Sequence, residues 1–95
     1  KLRPQAEADL EKIWFYTIAE WDLVQANLYI DEIDKVFALL AKQPLISRER
    51  LEFTPPVRIH PHGHHLIVYL IIETGIEIIR LLHESMDIRA QLKEE

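Results

Sequence analysis

The chain has 95 residues, no cysteine and a formal charge of −5, with 11 lysines and arginines against 16 aspartates and glutamates. That length fits a single domain over residues 1–95, and the lack of cysteine excludes disulfides and thiolate chemistry. The acidic balance disfavours extensive direct nucleic-acid binding, because each phosphate contact needs a cation. No apolar run reaches the roughly 18 residues that cross a bilayer, and no signal segment opens the sequence, so we expect a cytoplasmic protein without membrane contact.

The first part of the chain predicts an amphipathic helix. The first three residues could end a strand, and Pro4 suits a first helical turn, where its missing N–H would be unpaired anyway. From Gln5 to about Trp21 apolar residues recur every three or four positions, and charged residues take the opposite side. We expect Trp14 in the apolar stripe and Asp9 on the charged, solvent side.

A second helix follows at once. Asp22 is a good N-cap with Gln25 three residues further on, and Gln43-Pro44 ends the apolar stripe. Because the connection is only a residue or two, the two helices should lie antiparallel as a hairpin.

Three antiparallel strands are predicted in the second half, after a loop over residues 45–56. The turns between them are assigned to Pro61-His62-Gly63 and Glu73-Thr74-Gly75. Both faces of these strands are apolar and the helical hairpin can cover only one. A short C-terminal helix or a partner must cover the other, and we expect this face to be left for a partner. The predicted strands are Val57 to His60, Leu66 to Ile72 and Ile76 to Leu82.

Four motifs stand in order along the chain: Ala6-x-x-Asp9-Leu10, Tyr29-Ile30-Asp31-x-Ile33, Pro61-x-Gly63-x-His65 and Leu82-His83-x-Ser85-Met86-Asp87. Together they resemble the ParE toxins of the RelE/ParE superfamily, which belong to type II toxin–antitoxin modules. The resemblance implies an α+β fold, in which an N-terminal helical hairpin packs on a small antiparallel sheet and a short C-terminal helix follows.

The resemblance also implies a function. It predicts a toxin that inhibits DNA gyrase and replication, without a cofactor or covalent chemistry of its own. Its partner would be a ParD-like antitoxin, a ribbon-helix-helix protein whose tail folds on binding to form a hetero-oligomer. Candidate gyrase contacts are Met86, Arg89 and Leu92, which fall at helical spacing after the last strand. The alternatives are a RelE-type ribosome-dependent messenger-RNA endonuclease and a toxin-like binding module without activity.

Two strand arginines bear on the choice between toxin and endonuclease. Arg58 and Arg80, on neighbouring strands, could clamp a scissile phosphate. Transesterification also needs a proton acceptor, and the chain has no lysine between Lys42 and Lys93 and no tyrosine after Tyr69. We therefore predict no catalytic residues, and assign both arginines to pairs with nearby carboxylates or to antitoxin contacts.

Two groups containing histidine invite other chemistry. The first could bind a metal, but a turn at this point breaks the strand alternation, so we favour ordinary turn and surface histidines and predict no metal site. The second has the composition of a hydrolase triad, but Ser85 is better explained as a helix N-cap and Asp87 as a first-turn acid. The groups are His60, His62, His64 and His65, and His83-Glu84-Ser85-x-Asp87.

Aromatic residues on the helices complete the predicted binding surface. Phe15 and Tyr16 fall outside the apolar stripe, and exposed aromatics serve partner contacts more often than cofactor sites. No glycine-rich phosphate loop occurs in the sequence. We assign antitoxin binding to Phe15, Tyr16, Tyr29, Arg58 and Arg80.

Overall fold

The computed structural model describes residues 1–92, which form three α-helices and a four-stranded antiparallel sheet in the order β1-β2-β3-β4. Residues 93–95, the end of the predicted domain, lie outside the described range. The α+β architecture with a short C-terminal helix is confirmed. The elements in chain order are α1 (Pro4–Glu20), α2 (Leu23–Lys42), β1 (Glu49–Arg50), β2 (Val57–His62), β3 (His65–Ile72), β4 (Gly75–His83) and α3 (Ile88–Leu92).

The helical hairpin forms as predicted. α1 begins at Pro4, and α2 is capped by Asp22, whose Oδ1 accepts the backbone N–H of Gln25 at 2.8 Å. Only Trp21 and Asp22 separate the helices, which forces them antiparallel. Every helix within residues 1–92 is too short or too polar to span a bilayer.

The turn between β2 and β3 is tighter than predicted. β2 continues through Pro61 to His62, so the turn consists of Gly63 and His64, with Gly63 at a φ of 58°. The assignment of Pro61 to the turn is therefore wrong. β1 pairs only with the first two residues of β2, so Pro61 lies at a sheet edge, where its missing N–H is tolerated. The two-residue β1 itself lies in the predicted loop and is too short to leave a sequence signal.

A β-bulge in β4 changes which side chains share a face. Val68 and Tyr69 of β3 are adjacent, but their partners are Arg80 and Ile78, which leaves Ile79 as an extra residue in β4. The side chains after the extra residue therefore point to the opposite faces from those that regular alternation would give. The uniform alternation suggested by the sequence therefore fails in β4.

Each face of the sheet carries its own apolar cluster. The helical hairpin covers one face, and the loop before β2 together with α3 covers the other. The expectation that the second face awaits a partner is therefore wrong for its centre, which the chain covers with Phe53, Ile88 and Leu92. The helix-facing cluster is Ala6, Ile13, Ile33, Leu40, Ile67, Tyr69, Ile76, Ile78 and Leu81, and the second is Val57, Val68, Ile79 and Leu82.

The first three residues protect the outer edge of β4. Leu2 forms a parallel bridge with Ile78, whose N–H donates to the carbonyl of Lys1 at 2.7 Å and whose carbonyl accepts the N–H of Arg3 at 3.0 Å. An exposed strand edge is a template for unwanted pairing, and here the chain occupies it. We suggested that these residues could end a strand, and the structure has a single bridge there instead.

Candidate functional site

Arg80 is held by a carboxylate from the first helix. Its Nε and Nη2 donate to the two oxygens of Asp9 at 2.7 and 3.1 Å, and Asp9 also accepts the backbone N–H of Leu81 at 2.9 Å. Asp9 is 7% exposed, so the prediction that it faces solvent is wrong. The hydrogen bond that Arg80 donates to Asp9 raises the pKa of Arg80, which stays charged at any physiological pH.

Arg58 has a different partner and location. Its Nη1 donates to the backbone carbonyl of Ser47 at 2.7 Å. β3 lies between β2 and β4, so the description of Arg58 and Arg80 as lying on neighbouring strands is wrong. The structure brings each arginine to its own acceptor and does not join them in a phosphate clamp.

The C-terminal segment combines an exposed turn with a packed helix. Met86 is 44% exposed and lies before α3, so it does not share helical spacing with Arg89 and Leu92 as predicted. Asp87 caps this helix, since its Oδ1 accepts the N–H of Arg89 at 3.1 Å and that of Ala90 at 3.4 Å. The predictions of Ser85 as the N-cap and of Asp87 as a first-turn acid are therefore wrong, because α3 begins only at Ile88. The Ser85 hydroxyl instead lies 2.7 Å from Nδ1 of His83.

α3 is fastened to the loop before β2. The guanidinium of Arg89 lies 5.5 Å from the ring centre of Phe53, and its Nη1 donates to the carbonyl of Glu52 at 3.5 Å. Leu92 packs on the second apolar cluster. Among the three candidate gyrase contacts, Met86 and Arg89 are exposed, while Leu92 also holds the segment on the sheet.

A cavity of about 450 Å³ opens where the tip of the helical hairpin meets the β2–β3 turn. We call it the tip cavity. Nothing in the sequence signals it, because its walls come from four separate segments. Two predicted antitoxin contacts, Tyr16 and Tyr29, belong to it. The lining residues are Tyr16, Thr17, Glu20, Trp21, Gln25, Tyr29, Gly63, His64, His65 and His83.

A tyrosine–histidine pair forms one wall of the tip cavity. Oη of Tyr29 lies 2.7 Å from Nδ1 of His65, and the Tyr29 ring stacks on His62 with centroids 5.7 Å apart. A Cβ on Gly63 would lie 2.7 Å from that hydroxyl, so only glycine permits this approach. This wall of the cavity therefore depends on a glycine at this position.

Burial keeps this pair neutral near pH 7. It raises the pKa of Tyr29, with a smaller contribution from Glu32. Burial also lowers the pKa of His65, and the neighbouring His83, His64 and His62 add to that effect. This wall of the cavity therefore presents neutral hydrogen-bonding groups.

The histidine cluster is dispersed among separate partners. Nδ1 of His60 lies 3.0 Å from Oγ of Ser47, and Nδ1 of His64 lies 2.6 Å from Oε2 of Glu84. β2 runs through His62 and keeps the strand alternation up to that point, so the break lies later than predicted, in the turn that follows. Within residues 1–92, no three histidine, aspartate or glutamate side chains are grouped as metal ligands would be.

Phe15 and Tyr16 are exposed as predicted, whereas Trp14 does not lie in the core. Tyr16 is 66% and Trp21 75% exposed, and Phe15 is also exposed. Trp14, predicted in the core stripe, is only half-buried, and its Nε1 donates to Oδ1 of Asn27 on α2 at 2.9 Å. Trp14 thus joins the two helices on their outer side.

The helical hairpin packed on an antiparallel meander defines a small α+β domain with exposed aromatics on its helices. A family model described as the ParE toxin of the type II toxin–antitoxin system parDE matches residues 1–88. The chain belongs to the ParE toxin family.

Curated relatives match almost the full length. Toxin ParE1 of Mycobacterium tuberculosis is 35% identical over 92 residues, which cover 96% of this chain and 94% of the relative. Toxin ParE1 of Caulobacter vibrioides is 33% identical over 92 residues, covering 97% and 95%. Toxin ParE of Escherichia coli is 32% identical over 93 residues, covering 96% and 89%.

Proposed function

We propose that this ParE-family toxin inhibits DNA gyrase in the cytoplasm, blocks replication, and is neutralised by a ParD-like antitoxin. Membership of the family makes it a toxin of a type II module. The observation that favours an inhibitor over a ribonuclease is the engagement of both strand arginines. Arg80 is bound by Asp9 and Arg58 by the carbonyl of Ser47, at 2.7 Å each. Because β3 separates their strands and each arginine binds its own acceptor, the two are poorly placed to converge on one scissile phosphate.

The gyrase contact is proposed at the C-terminal segment. Met86 and Arg89 are both exposed, three positions apart on a turn and a short helix. Leu92 serves mainly to seat that helix on the second apolar cluster. An exposed thioether and an exposed guanidinium offer both apolar and charged contact to a protein surface.

The antitoxin surface is proposed on the helical hairpin. Residues 4–42 carry three lysines and eight carboxylates, a net charge of −5. Exposed apolar side chains, Val24, Leu28 and Leu39 among them, lie on α2 between these charges. An amphipathic helix of an antitoxin tail, disordered when free, would cover them on binding. Phe15, Tyr16 and Tyr29 are the proposed aromatic contacts.

The two arginines keep a smaller proposed role in antitoxin binding. Arg58 has donors left beyond its bond to Ser47, so it remains open to an acidic residue of the tail. Arg80 has its Nε and Nη2 on Asp9 and its Nη1 on the carbonyl of Gln91 at 3.2 Å. A contact to Arg80 would use the N–H groups that these bonds leave.

Two assays test this function together. Expression of the toxin should stop growth, and co-expression of the antitoxin encoded beside it should restore growth. Primer extension on translating ribosomes should then show uncut messages. Codon-specific cuts would favour the RelE-type endonuclease, and normal growth on expression of folded toxin would favour an inactive binding module.

A further inference from the structure

The tip cavity is open and is lined by two kinds of side chain. One wall is the hydrogen-bonded Tyr29–His65 pair, beside which Gly63 leaves room for the Tyr29 hydroxyl. Tyr16 and Trp21, which also line the cavity and are largely exposed, form its aromatic rim. At about 450 Å³ the cavity lies in the size range of sites for small ligands, roughly 300–1,000 Å³, so it can hold one long side chain with space to spare.

The charge of the residues that line the cavity determines which kind of partner side chain it can bind. Among residues 1–92, Glu20 is the one carboxylate that lines the cavity, and no lysine or arginine does. The hairpin around it has a net charge of −5. Burial and the three nearby imidazoles lower the pKa of His65, so this ring does not offset the acid near pH 7. A phosphate or carboxylate is therefore disfavoured and a cation favoured.

The aromatic rim narrows the choice to arginine. A cation is attracted to the face of an indole or phenol ring, and a guanidinium can stack on such a face while it pairs with a carboxylate through two N–H groups. Trp21 and Tyr16 supply the faces, and Glu20 supplies the carboxylate. Lysine could use the charge but not the planar fit.

We infer that the tip cavity is a socket for one arginine side chain of a partner protein, with Glu20 and Trp21 as its main contacts. In the setting of the proposed function, on which this step rests, the partner is the antitoxin tail. Tyr16 and Tyr29, placed among the antitoxin contacts on other grounds, line the same cavity. The anchor would thus lie on the antitoxin surface and fix the register of the tail along the hairpin.

A titration with short peptides tests the socket without the antitoxin. The probes are Gly-Arg-Gly blocked at both ends and its citrulline counterpart, which keeps the shape and loses the charge. The readout is the indole N–H signal of Trp21 by NMR, and that of Trp14 is an internal control, since its N–H is bound to Asn27. The arginine peptide should shift only the Trp21 signal, saturably, and the citrulline peptide should not.

Two matched variants identify the carboxylate. Glu20→Gln should weaken arginine-peptide binding about fivefold or more, whereas Glu11→Gln should leave it unchanged. Both glutamates are exposed on α1, but only Glu20 lines the cavity. Equal binding of the citrulline peptide, or an unchanged affinity in Glu20→Gln, would overturn the inference.

Binding of the antitoxin itself separates this inference from the proposed function. Wild-type toxin and Glu11→Gln should bind the antitoxin equally, and Glu20→Gln about fivefold or more weakly. Equal affinity of the wild-type toxin and both variants would contradict the arginine socket but not the toxin–antitoxin pairing. If wild-type toxin bound the arginine peptide but not the antitoxin, the assignment of the antitoxin as partner would be wrong and the arginine socket would still hold.

Discussion

The carboxylate of Asp9 on α1 binds the guanidinium of Arg80 on β4 through hydrogen bonds of 2.7 and 3.1 Å, 71 positions apart in sequence. The same carboxylate accepts the N–H of Leu81, a donor at the edge of the sheet. Arg80 in turn donates to the carbonyl of Gln91 in α3 at 3.2 Å. One pair of residues thus ties the first helix, the last strand and the C-terminal helix together.

Asp9→Ala should lower the free energy of unfolding by about 2–4 kcal/mol. The change leaves the Arg80 guanidinium, whose side chain is 15% exposed, and the Leu81 N–H without their acceptor. Urea denaturation measures the loss. The control is Glu11→Ala, an exposed carboxylate on the same helix, which should change stability by less than about 0.5 kcal/mol. Equal stability of the two variants would show that the pair is structurally unimportant.

Gly63→Ala should destabilise the fold by about 1–2 kcal/mol through its positive φ, and more through contact with Tyr29. The added Cβ would lie 2.7 Å from the Tyr29 hydroxyl. Tyr29→Phe removes that oxygen, so the double variant should be less destabilised than the sum of the single variants. Gly75→Ala controls for the contact, because Gly75 also has a positive φ, of 141°, but a Cβ there meets no atom within 4 Å. Additive single effects would mean that the contact carries no energy.

Stability should fall as the pH drops from 7.5 to 5. Burial lowers the pKa of His65 in the folded state, so below about 6.5 the unfolded chain binds more protons than the folded one. The stabilisation is thus complete above the unfolded pKa and is lost as the pH falls towards the folded one. His65→Gln should flatten this slope in urea denaturations. His60, whose pKa burial also lowers, should account for part of the remaining slope, and His60→Gln checks that.

The helical hairpin was predictable because its signals are local. Pro4 starts one helix, Asp22 caps the next, and periodicity supplies the rest. Asp9 was misplaced although its spacing held the answer: it lies three residues after Ala6 and four before Ile13, on the buried face. A buried aspartate makes sense only with Arg80 in view, and that partner is distant in sequence. Polar residues on a core face therefore need a partner search before they are assigned to solvent.

The sheet and the tip cavity were less predictable for a related reason. The bulge at Ile79 depends on pairing with β3, and no residue type announces it. The cavity requires Trp21, Tyr29 and Gly63 to meet, which follows only from the way the hairpin seats on the sheet. Periodicity leaves the second face of the sheet for a partner. In the structure Phe53 covers that face, from a segment that the sequence predicts only as a loop.

The C-terminal segment should carry toxicity through its exposed residues. The double variant Met86→Ser/Arg89→Ala should abolish growth inhibition and keep antitoxin binding, because neither side chain is buried and Leu92 still seats α3 on the second cluster. Leu92→Ala should instead cost about 1–2 kcal/mol of stability, since Leu92 packs on the second cluster. Point variants are preferable to deletion of this segment, which would uncover that cluster. Full toxicity of the folded double variant would place the gyrase contact elsewhere.

The most direct test of gyrase inhibition is a supercoiling assay with purified gyrase, relaxed plasmid and ATP, run with toxin alone and with toxin plus antitoxin. Toxin should reduce supercoiling in proportion to its concentration and leave gyrase covalently trapped on cleaved DNA. Antitoxin in molar excess should restore supercoiling. Met86→Ser/Arg89→Ala should lack the effect, and Glu11→Gln should keep it. Full supercoiling at saturating amounts of folded, growth-inhibiting toxin would contradict the proposed target.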